Sequence, residues 1–98
     1  MAMHNPPHPG EFIRVTYIDP FDISIRSLAE SLGVAASTLA RIVSERSAVS
    51  PEMALRLSKA IGRSAESWLA MQDNYDLWQA RKSANLSQVR KVPFEANV

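Results

Sequence analysis

The chain contains no cysteine, which excludes disulfide cross-links and thiolate metal centres. No apolar run approaches the roughly 20 residues that a membrane-crossing helix needs. The opening "MAMHNPPHPG" lacks the basic start and apolar stretch of a secretory signal, so a cytoplasmic protein is expected. Neither charge sign dominates: 11 bases face 10 acids, for a net charge of +1. What is present is 98 residues, 46% of them apolar, enough for one small domain with a modest core. Domains of this size bury a smaller share of their surface and are marginal alone, which makes dimerisation a reasonable expectation.

The charge is unevenly spread. Residues 24–63 carry Arg26, Arg41, Arg46, Arg56, Lys59 and Arg63 against Glu30, Glu45 and Glu52. Residues 1–23 set Arg14 against Glu11, Asp19 and Asp22, and residues 64–98 balance four against four. The middle is the basic part, and a basic bias favours a polyanionic partner.

Residues 1–8 read as a flexible arm, rich in proline and short of core residues. Pro9 suits the first position of a helix, with Glu11 in the first turn where the helix dipole favours an acid. "EFIRVTYI" is locally ambiguous between helix and strand and is taken as helix; "DPFD" is then expected to break it, because Asp-Pro initiates turns. Ser24 is a good cap for the next helix, "IRSLAESL", whose Ile25, Leu28, Ala29 and Leu32 recur at helical spacing. Gly33 supplies the left-handed conformation that ends a helix and turns the chain. A second short helix follows within three residues. Helix, glycine turn and helix make a helix-turn-helix unit, and Ala29 is small enough to sit where two such helices cross. "SERSAVS" is a polar loop. Ser50-Pro51-Glu52 starts another helix, which Gly62 ends, and Ser64 caps the last one, "AESWLAMQDNYDLWQARK". Residues 83–98 form a tail, strand-like in "QVRKVPF" or else disordered.

The second helix of the unit, within "GVAASTLARIVS", has an unusual exposed face. Leu39, Ile42 and Val43 lie on its apolar side. The other side offers Ala36, Ser37, Thr38, Arg41 and Ser44, where an ordinary surface helix would carry Glu and Lys. A face this bare is suited to close approach.

The stretch "IRSLAESLGVAASTLARIVSERSAVSPEMALRLSKAIGRSAESWL" resembles the helix-turn-helix domain of phage repressors and Xre-type regulators. "HPGEFI" and "WLAMQDNYDLW" narrow the resemblance to HigA-type antitoxins, also known as virulence-associated protein I-like regulators. The resemblance covers about residues 8–82. It implies an all-α, five-helix, phage-repressor-like DNA-binding domain over residues 9–82. It also implies a homodimer on a palindromic double-stranded DNA operator and repression of the protein's own operon, usually together with a toxin related to RelE-type mRNA interferases. Many relatives carry a longer polar side chain where Ala36 stands here, which shifts weight to Arg41 and to DNA shape.

On that reading the bare face enters the major groove. Ala36 is suited to touch a thymine methyl, Ser37 to bond a base or phosphate, and Arg41 to pair with guanine O6 and N7, a contact that discriminates by about 1–3 kcal/mol. Ser24, Arg26, Thr38, Ser44, Arg46 and Ser47 are candidate phosphate contacts, which fix register without reading sequence. Trp68, Gln72, Tyr75 and Trp78 lie along one side of the last helix and read as core or dimer packing, with Gln72 the polar partner that a buried Tyr or Trp needs.

Other features carry no chemistry. His4 and His8 are four apart, but the prolines between them argue against a helical metal site. Asp19 with Asp22, and Asp73 with Asp76, have no nucleophile, metal shell or phosphate loop around them. Neither enzyme activity nor a cofactor is expected. Two other readings stay open: a stand-alone regulator with no toxin, and a protein-interaction module that no longer binds DNA.

Overall fold

The computed structural model describes residues 5–94, and four of its five helices begin where the sequence puts helix-starting residues, at Pro9 and just after Ser24, Ser50 and Ser64. The first, α1, is α-helical over Pro9–Ile13, widens to a π turn over Arg14–Ile18 and closes as α over Asp19–Phe21. Then come α2 (Ile25–Leu32), α3 (Ala36–Val43), α4 (Pro51–Ile61) and α5 (Ala65–Ser83). Ser24, Ser50 and Ser64 each accept the backbone N–H three residues on, so all three predicted serine caps form. No helix of the described residues is long and apolar enough to cross a membrane.

Two local expectations need correction. "DPFD" does not break the first helix, which continues to Phe21 and ends at Asp22 in the left-handed conformation (φ 53°). Pro20 has no N–H, and its ring crowds the carbonyl four residues back in α geometry. The widened turn before it, in which Asp19 N–H reaches the Arg14 carbonyl, relieves that crowding. Nor are the described residues of the arm free of the core. Pro6 and His8 are buried, and His8 Nδ1 accepts the Gly10 N–H at 2.9 Å, capping α1. Residues 1–4, including His4, lie outside the described residues.

The "HPGE" run thus has a mechanical meaning. His8 caps, Pro9 starts the helix and Gly10 lets α1 lie against the end of α3. A Cβ on Gly10 would overlap the Ile42 carbonyl and crowd Val43 Cα. Ile13 then enters the core beside Leu28, Ala29, Leu32, Leu39, Ile42, Val43, Val49, Met53, Ala54, Leu57 and Trp68. Trp68 is fully buried. It meets Phe12 edge-on at 5.8 Å and donates its indole N–H to the Gly62 carbonyl at 3.0 Å.

The second half of α5 leaves this body, which stretches the molecule to 58 × 26 × 24 Å. Residues 79–94 are all exposed. Beyond Ser83 the described tail forms no strand; its one turn is closed by Val89 N–H on the Leu86 carbonyl.

Candidate nucleic-acid interface

The turn between α2 and α3 is built by Gly33, at φ 74°. Its N–H bonds the Glu30 carbonyl, and Val34 N–H reaches back to Ala29, the pattern that closes a helix on a left-handed residue. Arg56 adds a clamp that sequence reading missed. From α4 its guanidinium donates to the Leu32 carbonyl at 2.9 Å and the Gly33 carbonyl at 3.3 Å. Glu52, one turn earlier on α4, holds it at 2.9 Å. The Glu52–Arg56 spacing was readable as a helix pair, but its reach to α2 was not.

The start of α3 differs from that of every other helix. The other four are capped by His8, Ser24, Ser50 and Ser64, whereas Ala35 has no side-chain acceptor to offer. The Ala35 carbonyl takes the N–H groups of Thr38 and Leu39. The N–H groups of Ala36 and Ser37 point off the helix end with no partner among the described residues. Such a terminus suits an anionic oxygen. Leu39, Ile42 and Val43 are buried, which fixes α3 so that Ala36, Ser37 and Arg41 are exposed and Thr38 is half-buried.

Charge sorting follows the same line. Arg56 is tied to α2, and Arg63 donates to Ser67 Oγ at 2.7 Å while lying over the Phe12 ring. Arg14 pairs with Asp19. Arg26, Arg41 and Arg46 are exposed and make no ion pair or side-chain hydrogen bond among the described residues. The arginines nearest the bare face are therefore free to meet an outside anion.

The structure separates the serines. Ser24 Oγ accepts from Ser27 N–H at 3.0 Å and keeps its own proton to donate. Ser44 gives its proton to the Arg41 carbonyl at 3.2 Å, so in this rotamer it has none left for a phosphate. The same carbonyl accepts Arg46 and Ser47 N–H groups, and Glu45, between Ser44 and Arg46, sits at φ 67°, which folds the loop tightly over the end of α3.

Gln72 does not partner an aromatic residue. It is 4% exposed, and its Oε1 accepts the Val49 N–H at 2.9 Å while its Nε2 donates to Asp76. It fastens the loop after α3 to α5. Tyr75 instead takes a hydrogen bond from Gln79 and stands edge-on to His8 at 4.9 Å. Trp78 is half-buried, with Lys82 Nζ 3.9 Å above its ring.

The helix-turn-helix family pattern matches residues 17–68. YddM, an HTH-type transcriptional regulator of Escherichia coli K12, is 36% identical over 94% of this chain and 97% of its own. The solved antitoxin GraA superposes with a TM-score of 0.85 at 35% identity, over 92% of this chain and all of that one. The Pseudomonas aeruginosa antitoxin HigA, solved with the higBA promoter, has a TM-score of 0.80 at 38% identity, over 93% of this chain and all of its own. The chain belongs to the helix-turn-helix family of transcriptional regulators, among the HigA-type antitoxins.

Proposed function

We propose that this protein binds a palindromic operator on double-stranded DNA as a homodimer, represses its own operon and neutralises a RelE-like mRNA interferase encoded beside it. One observation carries the DNA reading. The helix after the glycine turn has an uncapped start, a face of small residues and an unpaired arginine together. In the groove, Ala36 and Ser37 let the backbone approach the base edges, and Arg41 reads guanine. Thr38 and Ser24, with Arg26, Arg46 and Ser47, hold the flanking phosphates.

A two-fold dimer sets its two α3 helices in successive major grooves, about 34 Å apart. The surface for that pairing is the exposed side of α5, where Ala70, Asp73, Leu77 and Ala80 recur at steps of three and four residues. Trp68 and Gln72 serve the core instead.

Fluorescence anisotropy on the duplex upstream of the gene, against a scrambled duplex at two salt concentrations, tests the DNA reading. A preference for its own duplex that persists at the higher salt supports it; equal binding to both sinks it. Co-expression with the neighbouring reading frame tests the toxin. The expected result is a stable co-purified complex and relief of growth arrest, and a neighbour that is harmless alone removes this part of the proposal.

A further inference from the structure

Among the described residues, five of the eight exposed large apolar side chains lie between Leu77 and Phe94. Leu77, Leu86, Val89, Val92 and Phe94 are 51, 67, 69, 56 and 80% exposed. The last four sit on a tail whose residues 84–94 are all exposed and, past the Ala84 N–H on the Ala80 carbonyl, hydrogen-bond only among themselves within the described residues, yet the tail is locally organised. Asn85 Oδ1 accepts Ser87 N–H, and Val89 N–H closes the turn on Leu86.

Charge is segregated along the same stretch. Residues 65–76 carry Glu66, Asp73 and Asp76 and no base, while residues 77–94 carry Arg81, Lys82, Arg90 and Lys91 and no acid. Two copies set parallel would oppose like charges. Set antiparallel, each acidic half meets a basic one, the self-complementarity that a two-fold contact requires. If Leu77 meets its own copy at the axis, Asp73 lies opposite Arg81, each four residues from the centre. The tail, from Ala84 onward, then starts opposite Ala70 of the other copy.

A groove waits there. It is open, about 260 Å³, and lined by the apolar Pro6, Pro7, Phe12, Ala70 and Met71 together with the polar Arg63, Ser67 and Asn74. That is small for a drug-sized ligand but suited to one or two apolar side chains. Ala70 lies five residues into α5 from its first residue, Ala65, about 7.5 Å at 1.5 Å per residue, and Arg63 is two residues before that start. Eleven residues of tail span that length even with a turn in them.

We propose that residues 84–94 form a strap that crosses to a second copy of this chain and seats Leu86 and Val89 in its Pro6–Phe12–Met71 groove. The strap rests on the dimer along α5 described above. It enlarges a contact that a single pair of short helical stripes makes small. Arg90 and Lys91 on the strap pass the acidic half of the partner's α5.

The absence of cysteine makes the test clean. The full-length double variant Ala70→Cys with Leu86→Cys is oxidised and run on a non-reducing gel, with each single variant as a control. Within one molecule these positions are 16 residues apart along α5 and its extension, about 24 Å, too far for a disulfide. The expected result is a covalent dimer from the double variant, and little from either single one. Sedimentation of the same protein before oxidation gives the oligomeric state. A dimer that does not cross-link overturns the strap and leaves the α5 pairing standing. A monomer overturns both. Leu86→Asp with Val89→Asp gives a second reading: the dimer dissociation constant rises at least tenfold with helix content unchanged. An unaltered constant refutes the strap.

Discussion

Replacing Gln72 with leucine tests whether α5 positions the loop after α3, which the proposed function sets against DNA. Gln72 Oε1 is the acceptor for Val49 N–H at 2.9 Å, and both residues are buried. Leucine is close to glutamine in volume, so cavity and overpacking terms stay small. What remains is a buried N–H without a partner, which costs about 1–3 kcal/mol. In a domain of this size each kcal/mol moves the melting temperature by roughly 4–8 °C, so a fall of roughly 5–20 °C is expected. Circular dichroism melts at pH 7 measure it. Asp76→Asn is the control, because it keeps an acceptor for Gln72 Nε2 and should move the midpoint by only a few degrees. The loop over residues 44–50 loses its anchor in Gln72→Leu, and operator affinity should weaken even well below the melting range. A midpoint unchanged or raised in Gln72→Leu would refute the assignment of Gln72 as the loop's fastener.

Gly10→Ala forces a methyl into the Ile42 carbonyl. Because that contact is backbone, it cannot rotate away, and a loss of about 1–3 kcal/mol or more is expected in denaturant melts. Burial holds the His8 imidazole below its ordinary value of 6.5, with Glu45, Asp76 and Glu11 offsetting part of the effect. The fold therefore favours neutral His8, and the unfolded chain binds the extra proton. That stabilisation is full above about pH 6.5 and is lost as pH falls toward the lower folded value. His8→Asn, which caps without titrating, should flatten the pH dependence of stability below about pH 6.5; an unchanged slope would remove His8 as its source. Arg46→Ala should weaken binding alike on operator and scrambled duplexes and lower the salt slope by about 1.

The helix plan was largely legible because serine caps, Gly33 and the apolar stripes are local signals, and each acts within one turn of the residue that carries it. Local signals also placed Ala36, Ser37 and Arg41 on one exposed face. Apart from the turn before Pro20, the differences lie where distant segments meet. Pro20 was read as a breaker because nothing local announces the widened turn that admits it. His8 was assigned to a free arm because its burial depends on Tyr75, far along the chain. Gly10 carries no local signal, since its meaning is the Ile42 carbonyl it faces. Arg56 reads locally as one more positive charge, although its hydrogen bonds to Leu32 and Gly33 tie it to α2 and its ion pair with Glu52 offsets that charge. Gln72 was matched to the aromatic residues beside it in sequence, but the buried N–H of Val49 competes for it and wins.

The central claim is that α3 reads DNA through Arg41. The most direct measurement is the ratio of dissociation constants on the protein's own upstream duplex and on a scrambled one, for wild type and Arg41→Ala at one salt concentration. Loss of a guanine pair worth about 1–3 kcal/mol predicts that the ratio shrinks by roughly 5- to 150-fold, mostly through weaker binding to its own duplex. An equal preference in both proteins would contradict the account and leave α3 without its reader.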